Sequence, residues 1–538
     1  MFGHKDLPVL FLPAGPGKGF IVPSRSRRIS LKLEQERIMK IGISTIILVL
    51  ALTVTKSYAQ YPQDALRLGE DSYGIGARSM AMGNAMTGLA QGFDATYFNP
   101  AGLAQSRMSQ VTMGLNFVGY GDNATYLGNN SSLSSSQTDV SDLGLVYPFP
   151  TTRGSFAIAL GYSHGPDYNS ALSVGGLNPN SSIVPSLYYG PDTNSDISYM
   201  TFLEATDRTP LVTGNVIQSG ETYTSGGLNN WVAAAGMDVA ENFSVGLTLG
   251  LISGSYKYTQ NFTEAGAKGD NYAGTYFTGF DLTNTDNQSV GGWNARLGML
   301  YKLQDNSGNT LARFGLDIQF PTFLTVTDNY SSSGTASFAN GGPGLPAGSW
   351  SWSTTNGYGQ NETPGSALQY DVTTPFKFAF GVSGGIQQVL AALDIEYADW
   401  TQLQFSNSNL SGSFISSLNN SIKAEYRPTL NVRVGLEFAL ANPTSSLFVP
   451  YIRLGGQYLP SPYVGDGSSE AQKFLSGGLG ANIQNTVDVD FAYQYGWWNT
   501  TSQVYPATVI NNHTYAGMNT SAEKITNGNF MFTFKYNF

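Results

Sequence analysis

The sequence holds no cysteine, three histidines and only 12% charged residues across 538 positions. Without cysteine there is no disulfide, no thiolate metal site and no cysteine nucleophile. His4, His164 and His513 lie far apart, so no histidine metal centre or acid–base pair is expected, and no cofactor. A net charge of −10 offers no basic face for nucleic acid. Apart from one N-terminal stretch, no apolar run reaches the roughly twenty residues that a membrane helix needs. Soluble domains typically carry about 25% charge, yet the mean hydropathy of −0.14 is that of a water-soluble chain.

What is abundant resolves the conflict. There are 63 glycines, 31 tyrosines and 30 phenylalanines, and the aromatics fall at alternate positions. At the C-terminus, Phe530, Phe532, Phe534, Tyr536 and Phe538 alternate with Met531, Thr533, Lys535 and Asn537. The pattern recurs in 293–303, 312–320, 430–440 and 487–495, with charges on the second set. Period two predicts strands. Segments of about ten residues suit a tilted strand crossing a bilayer, twice the length of ordinary strands. Short connections (148–153, 240–242, 304–309, 387–388, 441–446, 484–485) alternate with long polar ones (121–140, 164–228, 259–289, 326–373, 406–427, 460–471, 499–526). The expected fold is all-β: a transmembrane antiparallel β-barrel of about fourteen strands, with the last strand closing on the first.

Before the barrel, "MKIGISTIILVLALTVTKSYAQ" (Met39–Gln60) reads as a secretory signal peptide cleaved after Ala59. Residues 1–38 read as sequence upstream of the true start. The expected organisation is therefore leader 39–59, an N-terminal segment at 60–107 that is either a plug or a periplasmic tail, and a barrel at 108–538. "GARSMAMGNAMTGLAQGFDATYFNPAGLA" (Gly76–Ala104) is rich in Ala, Gly and Met, and Asn99-Pro100 sets a turn. "GVSGG" (381–385) superficially matches a nucleophile elbow but sits in a strand pattern, so no catalytic residue and no enzyme is expected.

That Gly76–Ala104 stretch, ending in NPAGLA, resembles the N-terminal hatch of the FadL/TodX family of outer-membrane transporters for hydrophobic compounds. "TPFKFAFGVSG" (374–384), "LDIEYADWTQLQF" (393–405), "RPTLNVRVGLEF" (427–438), "YIRLGGQYLPSPY" (451–463) and "FLSGGLGANI" (474–483) are similar to that family's barrel. The loops at 164–228 and 326–373 look longer than those of its plainer members. The resemblance implies a small helical plug in the lumen, gated through Asn99, Pro100, Ala101 and Gly102. It also implies passive, lateral uptake of long-chain fatty acids or hydrocarbons into the bacterial outer membrane. The alternative is a FadL-like shuttle in type IX-like protein secretion; an open porin is the third reading, and the small-residue segment counts against it.

The functional residues are expected among inward-facing charges. Arg296, Arg313, Lys377, Arg433 and Arg453 are the ligand candidates, because guanidinium groups pair bidentately with a carboxylate. Phe534, Tyr536 and Phe538 resemble the signal read by the barrel assembly machinery. Expected partners are that machinery, a hydrophobic ligand, outer-membrane lipid and lipopolysaccharide, and no nucleic acid.

Overall fold

Strands that alternate strictly must bury one face and show the other to a different medium, and a sheet of them escapes open edges by closing. The computed structural model describes residues 62–188, 196–267, 272, 276–339, 347–354, 367–443, 445–515 and 519–538; the expected leader and residues 1–38 lie outside them. Among the described residues, fourteen antiparallel strands form one closed sheet. They are β1 (Gln110–Tyr126), β2 (Asn129–Phe149), β3 (Phe156–Asp167 and Ser170–Asn178), β4 (Val216–Ala240), β5 (Phe243–Gly266), β6 (Phe277–Gln304) and β7 (Thr310–Gln319 and Phe323–Phe338). Then follow β8 (Leu368–Thr373 and Lys377–Ile386), β9 (Val389–Asp399 and Gln404–Ser406), β10 (Pro428–Ala439), β11 (Phe448–Leu459), β12 (Gln472–Ile483), β13 (Val487–Gln503) and β14 (Thr520–Asn537). β14 pairs with β1 from Gln110↔Asn537 to Thr125↔Ala522, which closes the ring as the terminal aromatic strand predicts.

The outward residues near the short turns are apolar and exposed. On β5 the outward set runs Phe243, Val245, Leu247, Leu249 and Leu251, nine residues long, which matches one tilted bilayer crossing. Tyr162, Trp231, Leu251, Trp293 and Phe323 form one row across β3 to β7, and the Trp293 and Phe323 rings stack at 4.8 Å. Tyr147, Tyr301, Tyr536 and Phe538 are exposed towards the short-turn end. Phe534 and Tyr536 face outward, at 40% and 44% exposure. An apolar belt between aromatic rows on a closed antiparallel barrel is outer-membrane architecture, and it places the chain in the bacterial outer membrane.

The long connections differ from expectation. Most of 121–140, 259–289 and 499–526 is strand: β1 and β2 meet at Leu127–Gly128, and β6 alone runs 28 residues. Above Trp293 the outward residues of β6 become Gly291, Ser289 and Asn287. Past the lipid both faces carry polar residues, so the period-two signal fades while the backbone ladder continues. Stretch 406–427 is mainly a helix, Gly412–Glu425, started by Ser411, whose Oγ accepts the Phe414 amide at 3.4 Å. Over the outer end, Tyr126, Ile183, Val184, Ile197, Leu203, Phe262, Phe280 and Tyr505 pack into an apolar cap. Within it Glu204 lies beside Asp196, Ser198 and Arg208.

Two predictions follow from this layering. Leu247→Arg places a charge in the lipid belt and should destabilise the barrel by about 2 kcal/mol or more, read by denaturant unfolding in phospholipid vesicles; an unchanged midpoint contradicts the belt. Burial, and then the Asp196 carboxylate, pushes the Glu204 carboxyl up to about 7. Its folded value lies above its unfolded one, so its contribution is full below the ordinary carboxylate range and disappears as pH rises through about 7. Protection of the amides across residues 197–212, taken relative to the intrinsic base-catalysed rate at each pH, should therefore fall from pH 6 to pH 8 in the native protein, and Glu204→Gln should flatten that slope.

Candidate functional site

The interior of the ring is occupied by the chain's own N-terminal segment. It begins with α1 (Pro62–Gly69), continues through α2 (Ala77–Ala81) and α3 (Ala95–Phe98), and ends in a 3-10 turn, Pro100–Gln105. Short helices of small residues leave much backbone exposed, and buried backbone must find partners. The barrel supplies them: Ala77 N donates to Thr533 Oγ1 at 2.8 Å, Thr87 N to Asp394 Oδ2 at 2.7 Å and Phe93 N to Gln110 Oε1 at 3.1 Å. Ser383 Oγ donates to Gly88 O at 2.8 Å and Thr248 Oγ1 to Thr96 O at 3.0 Å. Ser383, the central residue of the elbow-like motif, is thus a wall residue holding this segment.

Close approach requires glycine in the wall. Gly236, Gly246 and Gly298 pair side by side on β4, β5 and β6. A Cβ on Gly246 would lie 2.2 Å from the Pro100 carbonyl carbon, and one on Gly298 2.1 Å from Asn99 Oδ1. Across the lumen a Cβ on Gly455 would lie 2.1 Å from Gly83 N. Asn99 is 1% exposed; its Nδ2 donates to Thr87 O at 2.8 Å and Met299 O at 3.0 Å, and its Oδ1 accepts the Ala101 amide at 3.1 Å. The Gly102 amide donates to Asn99 O at 2.9 Å. Asn99, Pro100, Ala101 and Gly102 thus form one buried turn seated on the three glycines.

Ion pairs fasten the segment at three places. Asp71 receives both Lys377 Nζ and, at 3.3 Å, Arg433, which also holds Glu396 at 3.1 Å. Asp94 pairs with Lys535 at 2.8 Å. Arg78 reaches Glu437 at 2.8 Å, and Glu437 in turn holds Arg453, itself 2.6 Å from Asp490. Of the five candidate cations, Arg296 and Arg433 line the main cavity. Arg296 bonds Asp317 and Gln319, both at 2.6 Å, and lies 5.2 Å from the Tyr97 ring. Lys377 is held beside the cavity by Asp71 and by Gly69 O at 2.9 Å. Arg453 faces a separate cavity at the short-turn end. Arg313 lines a third cavity and has no ion pair among the described residues.

The main cavity, about 460 Å³, lies between α1, the segment Glu70–Tyr73 and the upper wall. Tyr73, Tyr97, Tyr168, Tyr256 and Trp400 are among its lining residues. Arg67 lies 3.5 Å over the Tyr256 ring and 5.6 Å from that of Tyr168, and bonds Gln288 at 2.9 Å. Sequence reasoning missed Arg67; its place on a one-turn-longer amphipathic helix with Leu66 and Leu68 was the available signal. α1 packs in one apolar cluster with Tyr370, Phe405, Leu418 and Ile422, so the helix Gly412–Glu425 backs α1.

The same cavity touches Pro166, Asp167, Tyr168 and Asn169, where the wall is irregular. The β2–β3 ladder stops at Asp142↔Ser163. The β3–β4 register shifts between His164↔Asn229 and Asp167↔Gly227, which leaves one extra residue on β3. Pro166 has no amide hydrogen to give the ladder. A second lumenal space of about 80 Å³ adjoins the main cavity, lined by Glu70, Asp71 and Tyr97 as well as by Gly165, Pro166, Leu228 and Asn229.

Because the turn depends on a glycine bed, Gly246→Val should cost about 1–3 kcal/mol by overpacking. It should dislodge the segment while the barrel survives. Limited proteolysis should then cut within residues 76–104, with heat-modifiable mobility retained; an uncut segment contradicts the packing.

No protein-family model matches the sequence, and no curated protein matches it. Among solved structures, a FadL homologue of Pseudomonas aeruginosa is similar over 87% of this chain and 99% of its own, with 13% identity and TM-score 0.50. The Pseudomonas putida toluene transporter TodX covers the same shares at 15% identity and TM-score 0.48. The chain thus has the fold of the FadL homologue, a fourteen-stranded FadL-like outer-membrane barrel.

Proposed function

We propose that the protein takes up hydrophobic small molecules across the outer membrane by passive diffusion, entering the cavity beneath the outer cap and leaving sideways through the bulged wall at β3. The observation that carries this reading is the joining of a cavity lined by tyrosines, Trp400 and charged side chains to the wall at Pro166–Asn169, where the β2–β3 ladder has ended and the β3–β4 ladder is bulged. Each CH₂ moved from water into an apolar site gains about 0.8 kcal/mol, so an oily molecule favours a Tyr/Trp-lined cavity and then the bilayer over an aqueous pore. The N-terminal segment blocks the axial route through its ion pairs and the Asn99–Gly102 turn, and works as the plug. TodX, of related architecture, is described as a toluene transporter, which agrees with this class of ligand.

The size of the cavity suits a monoaromatic compound or part of an acyl chain. Arg67, flanked by two tyrosine rings and paired with Asp64 at 2.9 Å, and Arg296, over Tyr97 and paired with Asp317, line the cavity and are the groups that would meet a carboxylate head. Arg433 and Lys377 already share Asp71, so an acid ligand reaching them would have to displace that carboxylate. Such displacement is the step by which the ligand would loosen the plug.

The test is uptake into vesicles containing the purified barrel, comparing toluene, oleic acid and glucose. The reading expects accelerated entry of at least one hydrophobic compound and none of glucose. Equal entry of glucose, or co-purification of a stoichiometric protein cargo without hydrophobic uptake, overturns it. Arg67→Gln should weaken oleic acid uptake more than toluene uptake.

A further inference from the structure

At the parting of β2 and β3, Asp139 of one strand comes beside two side chains of the other. Asp139 is on β2, while His164 and Asp167 flank the bulge on β3, and one ligand atom from each lies within 4.8 Å of the others. His164 is 8% exposed. Its Nδ1 is 3.2 Å from Asn229 Oδ1, which also accepts the Tyr162 hydroxyl at 2.6 Å. In the tautomer that donates Nδ1–H to this oxygen, the lone pair is on Nε2. That atom is buried and has no hydrogen-bond partner among the described residues. Asp167 is similar: Oδ1 accepts the Asn169 amide at 2.6 Å, while Oδ2 is buried and unpartnered.

A neutral imidazole whose second nitrogen is pinned to an oxygen, beside two carboxylates, is the usual dress of a transition-metal ligand set. We propose that Asp139, His164 and Asp167 bind one divalent transition-metal ion such as Zn²⁺ across the parting of β2 and β3. Zinc bonds of about 2.0–2.2 Å put neighbouring ligands roughly 3.3 Å apart. The three side chains must therefore close on the ion, which draws β2 towards β3. The bulge also provides space: Gly227 opposes Asp167, and a Cβ there would meet the His164 ring at 3.1 Å. If the wall at β3 is the exit for hydrophobic ligand, a consequence that rests on the transport reading, bound metal holds that exit shut.

The binding test needs no transport, so its failure is distinct from a failure of the transport reading. The full chain is purified in detergent with a tag free of histidine, stripped with chelator and titrated with Zn²⁺ by calorimetry. One ion per chain is expected. His164→Gln should weaken binding by more than about 100-fold, and Asn229→Ala, which removes only the acceptor that orients the ring, by about tenfold. His513→Gln should change nothing. Heat-modifiable mobility checks the fold of each variant, and Co²⁺ added to the native protein should give visible d–d bands without a thiolate band. The proposal is overturned if the native protein binds no Zn²⁺, if Co²⁺ gives no such bands, or if a folded His164→Gln variant binds as tightly as the native chain.

Discussion

The approach of the Pro100–Gly102 backbone to the wall glycines is the contact on which the interior depends. Fourteen strands enclose more space than their own side chains fill, and an unfilled interior would be a pore. Here Gly236, Gly246 and Gly298 remove three adjoining side chains, and the Asn99 turn occupies the volume. Asn99 then satisfies backbone groups on both sides, Thr87 O in the segment and Met299 O in the wall. Backbone seated on glycine brings the segment into direct contact with the wall at this level of the barrel.

Charge completes what packing begins. A buried lumenal cation without a partner is costly, and four of the five candidate cations have acidic partners. The segment supplies one of these acids, Asp71, and a further one, Asp94, to Lys535. Its position is therefore written into wall residues on β8, β10 and β14 together. The uncommitted aromatic surface lies higher, around Arg67, and it is this surface that borders the irregular strand β3.

The lipid-facing half of the architecture was legible because lipid imposes one rule on every second residue. Phe530 to Phe538, and Trp293 to Leu303, therefore read correctly, as did the inward register of Lys377, Arg433 and Arg453. The strand extensions did not read, since Ser, Thr and Asn on both faces of 129–139 and 281–291 carry no alternation. Nor did the glycine bed: Gly246 and Gly298 are ordinary alternating positions until Pro100 is seen against them. The bulge at Gly165-Pro166 fell inside a stretch taken for loop. Asp139 and His164 are 25 positions apart, and only strand geometry makes them neighbours. Signals set by the solvent were readable in one dimension; those set by contact between distant segments were not.

The central claim is that the outlet is the irregular wall at β3 rather than the barrel axis, and register arithmetic supplies its sharpest test. Deleting Pro166 removes the single extra residue between His164↔Asn229 and Asp167↔Gly227 and should restore a continuous β3–β4 ladder while leaving the plug and the other cavity residues in place. Vesicle uptake of the hydrophobic compound carried by the native barrel is then measured on the folded, heat-modifiable deletion variant. The account predicts loss of that uptake with no gain in glucose entry; uptake at the native rate would contradict it.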